Sequence, residues 1–188
     1  DLTQGHPVFG VLEHFCGVDW HPIAADARTA FSVAGAQGLS FTAVPLKSKP
    51  PPYSPHRNEP RPGDNIGLRV VDLRTRRSLF YAPGLGEIEP HLRPFLAEAD
   101  CLMLDGTFWT EDELIQLGVS AKRAADMGHL PQSGPGGMVE VLAKLAAPRK
   151  VLIHINNTNP ILDEDSPERA ALRTAGIEVA FDGMEIEL

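Results

Sequence analysis

The first clear alternation along the chain is Leu39 to Leu46 (LSFTAVPL), where apolar and polar residues take turns as they do in a half-buried strand. That pattern places Leu39, Phe41, Ala43 and Pro45 on one side. Upstream, His6 to Phe15 reads as the interior of a fold rather than its start. Downstream, Lys47 to Gly63 carries prolines 50, 51, 52, 55, 60 and 62 together with His56, Arg57 and Arg61. Proline fixes φ and donates no backbone hydrogen bond, so this stretch cannot be a central strand. Ordered loops of such length tend to be functional, with a disordered linker as the plain alternative. Asn65 to Leu73 and Ser78 to Ala82 then read as strands around a charged turn at Arg74 to Arg77.

Glu87 to Asp100 has a helical pattern. Cys101 to Leu104 is a short continuous apolar run, as in a strand buried on both faces, and it delivers Asp105 at its carboxyl end. In α/β sheets ligands gather at such ends. Thr110 to Glu113 matches a capping box, with Gly118 as the stop of that helix. Gly134 to Gly137 is a turn before an amphipathic helix, Met138 to Ala146, with Val139, Leu142 and Ala146 at helical spacing. Lys150 to Ile155 is a second buried strand carrying His154. Ser166 and Pro167 supply an N-cap and a first-turn proline, and Gly176 closes that helix. Ile177 to Phe181 and Met184 to Leu188, joined by Asp182-Gly183, predict a terminal hairpin. Strands alternating with helices predict an α/β layered sheet, one domain over residues 1–188.

Composition narrows the ligand class. The net charge of −8 argues against a nucleic-acid partner, which needs a concentrated basic face. No apolar run approaches the roughly 20 residues needed to span a bilayer, and no signal peptide is visible. Cys16 and Cys101 stand far apart in no Cys-x-x-Cys pattern, so neither a disulfide framework nor a structural zinc knuckle is supported. A reducing, cytoplasmic setting is the expectation.

Three polar residues end apolar strands or flank glycine turns: Asp105 in LDGTFW, His129 in MGHLPQSGPGG and His154 in LIHINNTNP. A carboxylate and two imidazoles converging at one sheet edge can ligate zinc or iron. Each also has a plain structural reading. Asp105 could accept backbone N–H groups in a turn, His129 could cap a helix or face solvent, and His154 could be a satisfied core histidine among Val151, Leu152, Ile153 and Ile155. Lys47, Lys49, Arg57 and Arg61 concentrate positive charge in an acidic chain, suited to a carboxylate-bearing substrate or simply to solvent. Asn156, Asn157, Thr158 and Asn159 offer donors and acceptors for a substrate or for a turn. SGPGG lacks the Gly-Lys-Ser/Thr ending of a phosphate-binding loop, and no G-x-S-x-G elbow occurs.

The blocks SKPPPYSPHR, GDNIGL, LFYAPGLGE, DGTFW, MGHLPQSGPGGM, VLIHINNTNPILDEDSPER and DGMEIEL resemble the PqqB family along nearly the whole chain. That family is a branch of the metallo-β-lactamase superfamily, so the resemblance implies an αββα sandwich, present here in part, with the amino-terminal part of the fold and its His-x-His-x-Asp-His motif upstream of Asp1. The layout from Ala99 to Ile155 is also similar to the zinc-dependent tRNA 3′-processing endonucleases. The resemblance puts His154 at a metal-binding position, and Asp105 and His129 at catalytic positions; Lys49, Arg57 and Asn157 are the expected substrate contacts. Pro83-Gly84 stands where a bridging aspartate is usual, and Ser48 near where a histidine is expected, which argues against a dinuclear zinc hydrolase. It further implies an Fe(II)- and dioxygen-dependent hydroxylase acting on the tyrosine moiety of a Glu-Tyr cross-linked dipeptide precursor of pyrroloquinoline quinone (PQQ). The alternatives are a non-catalytic carrier of PQQ or its precursor, and a zinc hydrolase. The implied partners are that precursor and other PQQ biosynthesis proteins, with a homodimer left open. Because part of the ligand set lies upstream, residues 1–188 alone are expected to be inactive.

Overall fold

The computed structural model describes residues 7–188, so His6 lies outside the described residues. One seven-stranded sheet runs in chain order: β1 (Ala30–Phe31), β2 (Leu39–Pro45), β3 (Ile66–Asp72), β4 (Ser78–Ala82), β5 (Cys101–Asp105), β6 (Arg149–Ile153) and β7 (Glu178–Val179). Neighbours are antiparallel from β1 to β4 and parallel from β4 to β7. The change at β4 arises from the connections. The proline-rich segment and a short turn, neither of them helical, join β2 to β3 and β3 to β4, whereas each later strand is reached through helical segments.

The helices are α1 (Pro7–Cys16), α2 (Arg93–Glu98), α3 (Glu113–Gln116), α4 (Ala124–Met127), α5 (Met138–Ala143) and α6 (Pro167–Thr174). One sheet face carries the main core: Val44, Phe80, Ala82, Leu102, Leu104 and Leu152 pack with Leu96 of α2, Met138 and Leu142 of α5 and Leu172 of α6. Truncating a fully buried side chain such as Leu104 to alanine costs about 2–5 kcal/mol, because apolar transfer and cavity terms add. The opposite face gathers Cys101, Val151 and Ile153 under Ala180, Met184 and Ile186 of the carboxyl-terminal segment. Among the described residues, this is a sheet with helices layered on one face, the partial sandwich expected.

Several expectations need correction. In β2 it is Val44, with Leu46 beyond it, that joins the main core, not the Leu39 set; on the Leu39 side Phe41 stacks on Phe31 of β1 at 5.6 Å. The helix expected over Glu87 to Asp100 is a 3-10 turn at Pro90–Leu92 followed by the short α2, since Pro90 and Pro94 each remove a donor. The Met138 helix stops at Ala143 and leaves Ala146 exposed ahead of Pro148. The terminal hairpin does not form. Glu178–Val179 pairs parallel with β6, and a turn at Gly183 leads into a segment that lies on the sheet face instead of pairing. Ser166 does cap α6, accepting from the Arg169 amide at 3.0 Å. The exposed α1, with no buried residue, has no counterpart among the sequence-predicted elements. No helix among the described residues is long and apolar enough to cross a membrane.

Candidate metal centre

Parallel strands β5 and β6 end side by side, so the turns that leave them meet at one edge of the sheet. Asp105 closes β5 and pairs in register with Ile153, the last residue of β6. Gly106 turns the chain directly above that strand: its amide donates to the Ile153 carbonyl at 2.7 Å, and a Cβ there would meet the same oxygen at 2.9 Å. Only glycine fits so close a backbone approach. Thr107 comes next, and its side chain returns to the strand ends.

Asp105 is fully buried and has its acceptor capacity filled. Oδ2 accepts from the Leu85 amide at 2.9 Å and lies 2.6 Å from His129 Nδ1. Oδ1 accepts from the Thr107 amide at 3.0 Å and from the Thr107 hydroxyl. Burial pushes this carboxyl upward, but hydrogen bonds from His129 and Thr107 and the nearby His154 ring outweigh it and hold the group below the ordinary aspartate value. Asp105 therefore remains an anion inside the fold.

His129 is placed by Gly128, whose left-handed backbone (φ 93°) ends α4. The Ser48 hydroxyl donates to the Gly128 carbonyl at 2.6 Å, and a Cβ at Gly128 would lie 2.6 Å from the Lys49 amide nitrogen. The turn carrying His129 is thus pressed against the start of the proline-rich loop. Phe108 meets the His129 ring edge-on at 5.9 Å.

His154 departs from the strand position predicted for it. It lies one residue beyond β6 rather than within it, in a left-handed conformation (φ 53°) that is costly for a residue bearing a Cβ. Its side chain is 55% exposed, against 13% for His129 and 0% for Asp105, so it is not a core histidine. Asp105 lies 3.8 Å from His154 Nδ1, beyond hydrogen-bond reach but close enough for its charge to raise the imidazole pKa above the ordinary value, against the opposing effect of partial burial. The two imidazole rings stand 5.3 Å apart.

One donor atom from each of Asp105, His129 and His154 lies within 4.8 Å of the others. Nitrogen and carboxylate donors at this spacing fit a divalent zinc or iron ion. Both histidines line a cavity of about 490 Å3 whose other walls are Lys49 and Arg57, prolines 50 to 52, Asn65, Tyr81 and Pro83-Gly84. Asp105 does not line it. Arg57 also donates to the Pro50 carbonyl, which holds the guanidinium against the loop.

The structure thus brings together five of the six sequence-selected site residues. Asn157 is exposed and does not line the cavity. Its neighbour Asn159 is the buried asparagine, with Nδ2 donating to the Gly106 carbonyl at 2.9 Å and to Gln132 Oε1 at 2.9 Å, so it braces the turn above β5. The capping box at Thr110 does not form: Glu113 accepts from the Trp109 amide at 2.7 Å and from the Thr158 hydroxyl at 2.5 Å. Thr107, which no sequence pattern marked, touches all three candidate groups.

A family model described as a β-lactamase superfamily domain matches residues 1–155. The chain belongs to the β-lactamase superfamily. Within the superfamily it is 60% identical to the coenzyme PQQ synthesis protein B of Nitrosococcus oceani and 59% identical to that of Methylobacillus flagellatus. Each match covers the whole chain and 62% of the relative, so the chain spans less than two thirds of these proteins' length. The crystal structure of Zn2+-bound PqqB from Methylobacterium extorquens superposes with a TM-score of 0.77 at 33% identity, covering 85% of this chain and 53% of that one. The metallo-β-lactamase fold protein YhfI from Bacillus subtilis, at 14% identity and a TM-score of 0.58 over 95% of this chain and 58% of its own, shares the superfamily fold.

Proposed function

We propose that this chain supplies the His129 and His154 edge of a mononuclear metal site in a PQQ biosynthesis enzyme, an Fe(II)- and dioxygen-dependent hydroxylase acting in the cytoplasm on the tyrosine ring of a Glu-Tyr cross-linked dipeptide precursor. The observation that carries this reading is the pair of imidazoles held by one buried carboxylate on the wall of a cavity whose facing loop bears Lys49 and Arg57. The name and 60% identity of the Nitrosococcus oceani relative support the pathway. Other proteins of that pathway are the expected partners.

In this reading His154 holds the metal, and bound iron would supply dioxygen activation. Asp105 fixes the orientation of His129 through Nδ1, so the other ring nitrogen can take the proton of a ring hydroxyl and later return it. Lys49 and Arg57 receive carboxylates of the precursor, which fixes the distance between the ring and the strand ends. The Zn2+-bound relative makes zinc the alternative occupant of the same donors.

The test is anaerobic reconstitution of the intact protein with iron or zinc, followed by oxygen and the dipeptide precursor, with mass detection. Iron-dependent addition of one oxygen atom per step is expected. Precursor binding without oxygen addition under either metal would overturn the hydroxylase and leave a carrier; oxygen-independent turnover with zinc would instead make it a hydrolase.

A further inference from the structure

The geometry points to Thr107 as the positioning residue that fixes His154 in the same Nδ1–H tautomer that Asp105 imposes on His129, leaving each Nε2 unprotonated toward a ligand. Thr107 is buried, and its Oγ1 is surrounded: the Asp105 Oδ1 atom in a short contact, His154 Nδ1 at 2.9 Å, the His154 carbonyl at 3.0 Å and His129 Nδ1 at 3.1 Å. A hydroxyl has one proton and two lone pairs. That accounting decides the arrangement.

An ionised carboxylate only accepts, and so does a carbonyl, so Asp105 Oδ1 and the His154 carbonyl compete for the single hydroxyl proton. Asp105 wins on distance and on charge, since charge-assisted hydrogen bonds are the stronger ones. The hydroxyl therefore has nothing to donate to His154 Nδ1. A bond at 2.9 Å then requires the ring to bring its own proton, with Nδ1–H donating to Oγ1. His129 reaches the same result by another route: its Nδ1 lies 2.6 Å from Asp105 Oδ2, an acceptor, so Nδ1–H donates there. Both neutral rings are consequently Nδ1–H tautomers. A single hydroxyl carries the carboxylate's preference to His154, which sits 3.8 Å from Asp105 and does not bond to it directly.

Left-handed strain adds to the case. The positive φ of His154 is what brings its carbonyl and its Nδ1 to the same hydroxyl, so the strained turn and the tautomer lock share one partner. Histidines that bind metals are commonly held in this way, the distal nitrogen hydrogen-bonded so that the other presents a lone pair, and loss of such an outer partner costs about 10–100-fold in metal affinity. The tautomer itself depends only on the hydrogen bonds; the effect on metal rests on the metal-centre reading proposed above.

The experiment is long-range 1H–15N correlation of histidine rings in the metal-free intact protein, at a pH where both rings are neutral, for wild type, Thr107→Val and Thr107→Ser. Wild type is expected to show His129 and His154 as Nδ1–H tautomers. Thr107→Val, which keeps the shape and removes the hydroxyl, should shift His154 to Nε2–H or a mixture while His129 stays Nδ1–H, and should weaken Zn2+ binding about 10–100-fold in chelator competition. Thr107→Ser should restore both within about threefold, a rescue that a packing role for the methyl group would not give. An Nε2–H signal for His154 in wild type overturns the inference with no variant needed, so a valine protein that fails to fold does not shield it. Unchanged His154 tautomer in a folded Thr107→Val overturns it as well. If the tautomers behave as stated but no variant binds Zn2+ or Fe2+, the lock stands and the metal-centre reading falls.

Discussion

Strand β5 begins and ends beside an aspartate, and the two are treated in opposite ways. Asp100, just before the strand, pairs with the Arg77 guanidinium and accepts from the Ser78 amide at 2.8 Å, with its side chain 26% exposed. At the same edge Arg149 and Glu178 pair at 2.7 Å, tying β6 to β7. Asp105, at the far end, is sealed from solvent, and its ring partners are imidazoles rather than guanidiniums. Arginine never gives up its proton in a protein, so an aspartate paired with it is a fixed tie. Histidine changes charge and binds metals near neutral pH, so the same carboxylate beside it becomes adjustable. Strand β5 thus carries a permanent ion pair at one end and an exchangeable one at the other.

The largest test of this contrast is Asp105→Ala set against Asp100→Ala. The first strands the Leu85 and Thr107 amides and the Thr107 hydroxyl in the interior and should cost about 3–5 kcal/mol in denaturant unfolding. The second breaks a partly exposed pair and should cost about 1 kcal/mol. Equal losses would erase the distinction between the edges. Next in size, His154→Gly should lower metal affinity at least about 100-fold by chelator competition. Its stability should change by less than about 1 kcal/mol, because relief of the left-handed backbone offsets the lost bond to Thr107 and the attraction to Asp105. Retained metal would show that His154 is not a ligand.

Across the cavity, Arg57→Ala should weaken precursor binding about tenfold, increasingly masked by salt, with metal content unchanged; titration calorimetry at two ionic strengths separates those outcomes. The smallest effect concerns pH. The Arg77 guanidinium, helped by the Ser78 amide, holds the Asp100 carboxyl below its usual 3.8, so its contribution is complete above that value and disappears as pH falls through the lower folded value. Acid unfolding curves of wild type and Asp100→Asn should therefore converge at the acid end and separate above about pH 4. Curves that stay parallel would remove the pair from the stability balance.

Strands β5 and β6 were legible because burial on both faces leaves an unbroken apolar run, and β4 has the bounds its run predicts. Helix α6 was equally plain, since Ser166, Pro167 and Gly176 each act locally. Asp105, His129 and His154 could be picked out as polar residues at strand ends or glycine turns, with the superfamily resemblance assigning their roles. What stayed hidden depends on contacts distant in sequence. Glu113 abandons its capping box because Trp109 and Thr158 offer its carboxylate better partners. The left-handed backbone of His154 has no local signature, and Thr107 looks like any threonine in a turn until β6 arrives beside it. Pro90 and Pro94 carry the local signal that breaks the helix expected over Glu87 to Asp100.

Gly128 sets a rule for how such proteins can diversify. Because its backbone touches Ser48 and Lys49 without room for a Cβ, the first residues of the proline-rich segment are in effect part of the same rigid block as His129. Added or deleted residues between Pro51 and Gly63 would reshape the mouth of the cavity and leave the strand-end chemistry where it is. A single insertion between Lys47 and Lys49 would slide that block out of register. New substrate preferences are therefore open to change by altering loop length on one side of Pro50, and closed on the other.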